Sequence, residues 1–404
     1  MITRTVNLYK NAYSGLTERI WLLSIVMLIN RAGTMVLAFM TLYISHLGFT
    51  IKEGGLVLAI YGLGSVTGAL IGGKISDRFG FYYTQFCALL FGGIMFIVLG
   101  QMRTYFSICV CTFILSMVNE SFRPANASAI AHYSTAQNRT QSFSLIRLAI
   151  NLGWGIGSAL GGFLASINYH LLFWVDGCTN ITAAFMLLFI LPKVTKEQQQ
   201  KPAVAAVNPE KKSSPYRDKP FLYFLLLTVI FAACFFQFFT TIPLFFKDGL
   251  HLSEFKIGLI MAANGLLIAA FEMVLVFKLE GRKPYPVLMS YGCFFMALSF
   301  LILNLPLTNG FFVALTAMLV ITVGEMVSMP FMNSFYIARS SELTRGGYAG
   351  MYTMAWSAAQ VIGSSGGAFL AYKFGFFNLW FLVAGLCIIA GFGYFKLNAK
   401  TSQL

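Results

Sequence analysis

Seven charged side chains stand inside stretches of this sequence that are otherwise apolar: Arg31, Glu120, Arg123, Arg147, Asp176, Glu272 and Glu325. An ionised group at the depth of a bilayer costs several kcal/mol unless it meets a partner or a wet cavity. Glu120 and Arg123 are i,i+3 neighbours on one helical face and can pair directly, and Arg147 shares a face with Asn151 at i,i+4. Arg31 stands in "IVMLINRAGTMVLAFMTLYI", about 15 Å beyond Trp21 at the α-helical rise, and Glu325 reaches a similar depth in its own apolar run. Two chemistries suit such groups. A guanidinium grips a carboxylate through two parallel hydrogen bonds, and a partly desolvated carboxylate can take up and release a proton as its surroundings change. Glu325, Glu120 and Glu272 are the candidate proton carriers, Glu325 first because no basic residue lies within a turn of it. Glu272 stands before Lys278 and Glu280, so a packing or gating pair is an equal reading there. Asp176, in "LFWVDG", reads as structural. Arg31 has two readings, the anchor of a solute anion or a structural clamp paired with Glu120.

No enzyme motif accompanies these charges. There is no H-E-x-x-H, no phosphate-binding Walker loop and no G-x-S-x-G, so neither an enzyme nor an ATP-driven pump is expected in this chain, and no cofactor or metal. The seven cysteines (Cys87, Cys109, Cys111, Cys178, Cys234, Cys293 and Cys387) all fall in apolar runs, and Cys109-x-Cys111 is not metal-ligand spacing.

The elements that hold the charges follow from composition. The chain is 58% hydrophobic and 10% charged, with a mean hydropathy of +0.74, against roughly 25% charged residues in soluble domains. It is therefore expected to be an all-α integral membrane protein. Apolar runs of the length a bilayer requires, roughly 20 helical residues, fall near 19–47, 52–72, 81–100, 104–131, 140–167, 171–192, 219–247, 255–279, 285–303, 310–338, 344–372 and 376–396, predicting twelve transmembrane helices. The 41 Phe and 37 Gly suit large side chains against lipid and small ones where helices approach.

Orientation follows from the basic residues, which stay on the cytosolic side of short loops. Of the 28 Lys and Arg residues, twenty fall at one set of helix ends, five at the other and three inside the membrane, which places both termini in the cytosol. The net charge of +14 is then explained by topology and anionic lipid headgroups, and no nucleic-acid partner is expected.

The longest polar interruption lies within "KVTKEQQQKPAVAAVNPEKKSSPYRDKP". It predicts a cytosolic linker over 193–218 between two six-helix bundles, 1–192 and 219–404. The halves repeat at an offset of 206 residues: "RTQSFSLIRLAINLGWGIGSALGGFLA" (139–165) aligns with "RGGYAGMYTMAWSAAQVIGSSGGAFLA" (345–371), matching Gly157 to Gly363, Gly161 to Gly367 and, earlier, Pro124 to Pro330. Nearer the start of each half the offset is 203, pairing Gly62 with Gly265 and Asp77 with Glu280. A repeated six-helix unit is an architecture of secondary transporters.

With these features the chain resembles the major facilitator superfamily over essentially its whole length. "GGKISDRFG" (72–80) is similar to that family's cytosolic loop signature G-x-x-x-D-R-x-G-R-R/K, matching at Gly73, Asp77, Arg78 and Gly80, with Glu280 and Arg282 in the second-half twin. The resemblance implies a gate at these six residues, whose charges meet a helix end in one state and release it in another. "NLGWGIGSALGG" (151–162) resembles the span-five signature of drug:proton antiporters, with Ser158 at the family's proline. Its Gly153, Gly157, Gly161 and Gly162 suggest a smooth packing face. A weaker resemblance, to proton-coupled oligopeptide transporters, rests on Arg31, "RPAN" (123–126) and "GEMVSMP" (324–330). In the superfamily the first and fourth helices of each half line a central cavity, which implies substrate binding by Arg31, Glu120, Arg123, Gln237 and Glu325. The implied function is a proton-coupled transporter of small organic solutes by alternating access, as a drug or metabolite exporter. The alternative is a symporter of peptide-like or anionic solutes, and a lipid flippase is a third reading. The expected setting is the plasma membrane, a bacterial inner membrane, with protons, a small-molecule substrate and lipid as partners and the monomer as the working form.

Overall fold

The computed structural model of the chain describes residues 10–49, 51–194, 214–305 and 309–401. Most of the expected linker, residues 195–213, lies outside the described residues. Among those described, the regular structure is all helical: α1 (Glu18–Ala32), α2 (Val36–His46), α3 (Ile51–Phe79), α4 (Phe81–Gln101), α5 (Tyr105–Tyr133), α6 (Arg139–Ile167), α7 (Tyr169–Ile190), α8 (Lys219–Phe235), a 3-10 turn (Phe236–Phe238), α9 (Thr241–Asp248), α10 (Glu254–Leu279), α11 (Tyr285–Ile302), α12 (Gly310–Arg339) and α13 (Arg345–Thr401).

Ten of the helical segments are long and apolar enough to cross a membrane. By this measure the expected count of twelve is not reached, for two local reasons. The first expected span is interrupted, with 15 residues in α1 and 11 in α2. The last two run together in the 57 residues of α13, joined at Gly375, whose φ of 79° and ψ of 163° admit little but glycine. Large apolar side chains such as Phe106, Phe163, Phe189 and Leu266 point outward, as they would into lipid, where a helix satisfies its own backbone hydrogen bonds.

The chain forms two compact units. Among the described residues, one comprises 16–49, 51–194, 214–215 and 340–354, the other 10–15, 216–305, 309–339 and 355–401. In the first, α3 lies along α5, α4 packs on α5 and α7, and α1 packs on α6 and α7. Its core gathers Tyr43, Phe96, Leu115 and Phe173. In the second, α10 and α11 pack on α12. There α13 is tied to α8 by the Thr228–Tyr394 hydroxyl pair at 3.2 Å and to α11 by Ser290 donating to the Gly391 carbonyl at 2.7 Å. Trp380 is fully buried there, stacked on Phe300 and Phe376.

Pro124 and Pro330, 206 residues apart, lie inside α5 and α12. A proline within a helix removes the donor to the carbonyl four residues earlier. Here that loosens the backbone at Glu120 and Met326, on the two helices that carry central charges.

Candidate functional site

The first transmembrane segment stops at Ala32 and restarts at Val36. The restart leaves amides without helical acceptors, and Asp176 of α7 supplies them: its carboxylate accepts from Met35 N at 3.1 and 3.0 Å and from Val36 N at 2.8 Å. An anion at a helix N-terminus also meets the positive end of the helix dipole. Beside it, Asn30 donates to Asn180 Oδ1 at 2.9 Å, and Asn180 donates to the Asp176 carbonyl at 2.8 Å.

Arg31 is in the last turn before this break. Helix α6 lies against it through glycines: a methyl group on Gly153 would stand 2.7 Å from Arg31 Cβ, and one on Gly157 2.9 Å from the Ala32 carbonyl. Gly161 meets Met35 and Phe39 in the same way, whereas Gly162 faces open space. The packing face suggested by "NLGWGIGSALGG" is therefore real for three of its four glycines. Gly162 is turned away, because i,i+4 spacing keeps one face and the adjacent residue leaves it.

The unit brings Arg31, Glu120 and Arg123 together with Tyr61 of α3, a residue the sequence reading passed over. Arg123 donates to Glu120 Oε2 at 3.1 Å, and Arg31 lies within electrostatic reach of both and of Tyr61. Arg31 Nε is buried and has no hydrogen-bond partner. Arg147 is elsewhere on α6.

The second unit repeats the interruption with different chemistry. Gln237, 206 residues after Arg31, sits in the 3-10 turn between α8 and α9. Its amide donates to the Ala233 carbonyl at 2.9 Å and the Gly363 carbonyl at 2.8 Å, and accepts from Thr241 Oγ1 at 2.8 Å. Both of its N–H donors are thereby committed to stapling the break. Gly363 and Gly367, the twins of Gly157 and Gly161, again provide the close approach: a methyl group on Gly363 would come to 2.5 Å from the Ala233 carbonyl, and one on Gly367 would strike the Gln237 amide. Glu325 on α12 is 2% exposed and accepts from Asn264 Nδ2 at 3.0 Å. Glu272 on α10 is equally buried.

The residues of the loop signature are placed in the first unit. Asp77 Oδ1 accepts from Gly346 N and Oδ2 from Gly347 N, both at 2.7 Å, at the start of α13. This contact needs small residues: a methyl group on Gly73 would reach within 2.5 Å of the Gly346 carbonyl. Gly80, with φ 93°, makes the turn between α3 and α4. Arg78 is exposed and rests over the Phe79 ring at 5.3 Å. A cavity of about 20 Å³ beside the carboxylate is lined by Ser76, Asp77, Ser128, His132, Glu342 and Arg345 among others. In the loop before α13, burial pushes the Glu342 carboxyl above its ordinary pKa, against the opposing pull of Arg345. In the second unit Glu280 accepts from Tyr285 Oη at 2.7 Å, and Arg282 lies with it on the surface of the same turn.

A many-spanning helical protein with interrupted helices and charged or polar side chains beside the interruptions has the build of a membrane transporter. The chain belongs to the Major Facilitator Superfamily, which it matches over residues 20–364, a family of transporters rather than enzymes. It is 22% identical over 400 residues to a Na(+), Li(+), K(+)/H(+) antiporter of Planococcus maritimus, covering 90% of this chain and 92% of that one. It is 20% identical over 320 residues to the quinolone resistance protein NorA of Staphylococcus aureus, covering 78% and 80%. Its fold matches the crystal structure of the human organic anion transporter MFSD10 with a TM-score of 0.74 at 14% identity, covering 93% of this chain and 98% of that chain.

Proposed function

We propose that this protein is a proton-coupled secondary transporter of small organic solutes that works by alternating access, as a drug or metabolite:proton antiporter. The observation that carries the reading is Glu325: a carboxylate almost sealed from solvent on a membrane-spanning helix, hydrogen-bonded by a neutral amide. Such a group can exchange a proton where a surface acid would stay ionised. The names of two relatives, an antiporter and a resistance protein, agree with it. In this reading Glu120 and Glu272 are the secondary proton carriers, and Arg31, Glu120 and Arg123 contact solute. Gln237 enters as the staple of its break. The Asp77 contact to Gly346 and Gly347 is the gate, with Gly73, Arg78, Gly80, Glu280 and Arg282 shaping the two loops. The topology proposed with it is twelve spans in bundles 1–192 and 219–404, joined by the linker 193–218, with both termini in the cytosol and the plasma membrane as location.

A second reading, symport of an anionic or peptide-like solute, is favoured by one observation, the buried and unpartnered Nε of Arg31. One experiment addresses both. The protein is reconstituted into liposomes holding a pH-sensitive dye, and ethidium, benzoate or dialanine is added outside. Antiport makes the lumen more alkaline as the solute enters, and symport makes it more acidic. Glu325→Gln should abolish the proton movement while solute-for-solute exchange persists. No proton movement with any of the three, or undiminished movement in Glu325→Gln, counts against the proposal.

A further inference from the structure

We infer that Asn264 is the positioning residue that sets the proton affinity of Glu325, an inference that rests on the reading of Glu325 as the proton carrier. Thr322 lies one turn before Glu325 on α12. The Thr322 hydroxyl donates to the Met318 carbonyl at 2.6 Å, so toward α10 it can offer only a lone pair. Asn264 lies 2.9 Å from that oxygen. The Asn264 side chain must therefore turn its NH₂ rather than its carbonyl this way, since two acceptors would repel. The threonine thereby fixes which end of the amide faces α12.

The consequence reaches the carboxyl. The second N–H of the same NH₂ group points at Glu325 Oε1, 3.0 Å away. A donor committed to a carboxyl oxygen favours the ionised form and opposes protonation. The contact needs only α10 and α12 of one compact unit.

The repeat supplies independent support. Asn264 directly precedes Gly265, and its counterpart at the 203-residue offset is Tyr61, directly before Gly62. Tyr61 lies within electrostatic reach of Arg31, Glu120 and Arg123. In both units this position, on α3 and on α10, places a neutral polar side chain near charged residues of that unit.

The helices packed against α12 carry further ionisable residues: Glu254, Lys256, Glu272 and Lys278 on α10, Tyr285, Tyr291 and Cys293 on α11, and Lys219, Tyr223 and Cys234 on α8, which meets α12 through Phe224 and Phe335. Lys256 and Glu272 are about two turns to either side of Asn264. Glu272 is the acid whose titration has to be separated from that of Glu325.

The experiment is an infrared pH titration of the purified full chain in lipid, following the carboxyl C=O band that disappears on ionisation. The band retained in Glu272→Gln and lost in Glu325→Gln belongs to Glu325. In Asn264→Ala its midpoint should rise by about one pH unit, a tenfold gain in proton affinity. Asn264→Asp keeps the side chain's size, loses the donor and adds an acid, so it should raise the midpoint at least as far even if the alanine variant folds poorly. Asn264→Gln, which keeps the amide, should return the midpoint to within half a unit of the parent. A Glu325 band that titrates unmoved in both Asn264→Ala and Asn264→Asp overturns the inference and leaves the proton-carrier reading intact. If no band is lost in Glu325→Gln, Glu325 does not titrate and both fall together.

Discussion

The Asp176 carboxylate receives the backbone N–H of Val36 at 2.8 Å, and so holds in place the point where the first transmembrane segment stops and starts again. Both carboxylate oxygens are in use, since Met35 N reaches each of them. Asp176→Asn keeps the volume but turns one acceptor into a donor facing an amide. Leaving buried donors without acceptors costs about 1–3 kcal/mol, so the variant should melt several degrees lower in a detergent-based thermal unfolding assay. A melting point equal to that of the parent would mean that the break is held by other contacts.

The glycines of α6 allow a paired test. Gly153→Ala places a methyl group 2.7 Å from Arg31 Cβ, while Gly162→Ala places one in open space. Overpacking of this kind costs typically about 1–3 kcal/mol. The first variant should be clearly destabilised, and the second should match the parent in the same melting assay. Equal effects would show that α6 does not rest on the first helix through this face.

At the gate, Asp77→Asn removes the charge from a group that accepts two backbone amides. Charge-assisted hydrogen bonds contribute about 1.5–3 kcal/mol each, so one gate state should lose stability and ethidium transport in proteoliposomes should slow about tenfold or more. Equilibrium binding of ethidium, measured by fluorescence, should stay near that of the parent. Weakened binding with unchanged turnover would move Asp77 from the gate to the solute site.

Arg31→Lys separates the two roles open to that residue. A lysine keeps the charge but not the planar pair of donors. If Arg31 grips a solute carboxylate, benzoate-driven proton movement should fall at least tenfold with little change in melting temperature. If Arg31 is a clamp on Glu120, melting temperature should fall and the benzoate response should survive in the protein that remains folded.

Glu342 yields a pH dependence. Burial raises its folded-state pKa above the ordinary value for a glutamate, so the folded chain holds this proton to higher pH than the unfolded chain. Stability therefore falls as pH rises from the ordinary carboxylate value to the raised one. Glu342→Gln removes that loss. Its melting temperature should exceed that of the parent at pH 8 by a small margin that disappears near pH 4. A margin that grows on acidification would reverse the sign and refute the assignment.

The membrane class, the repeat and the positions of the charges within apolar runs could be read from the chain because hydropathy and residue spacing are local properties. A run of twenty apolar residues declares its preference for lipid wherever its neighbours are, and a 206-residue repeat needs only an alignment of the chain with itself. The signature around Asp77 identified an acid that meets a helix end, and the spacing of Gly153, Gly157 and Gly161 identified a packing face. Hydrogen-bond partners are chosen by residues far away in the chain. The interruption at Gly33 is hidden in continuous hydropathy from Trp21 to Leu47, since the carboxylate that compensates it is 140 residues from Val36. Gln237 has a side chain suited to a solute, yet its donors close the break of its own segment, one of them on a carbonyl 126 residues away. Asn264 carried no charge to attract notice, and its bearing on Glu325 depends on the Thr322 hydroxyl having already given its proton to Met318. That order of donors and acceptors exists only once α10 and α12 are packed together, because burial removes water as the alternative partner and leaves each polar group with whichever neighbour the fold supplies.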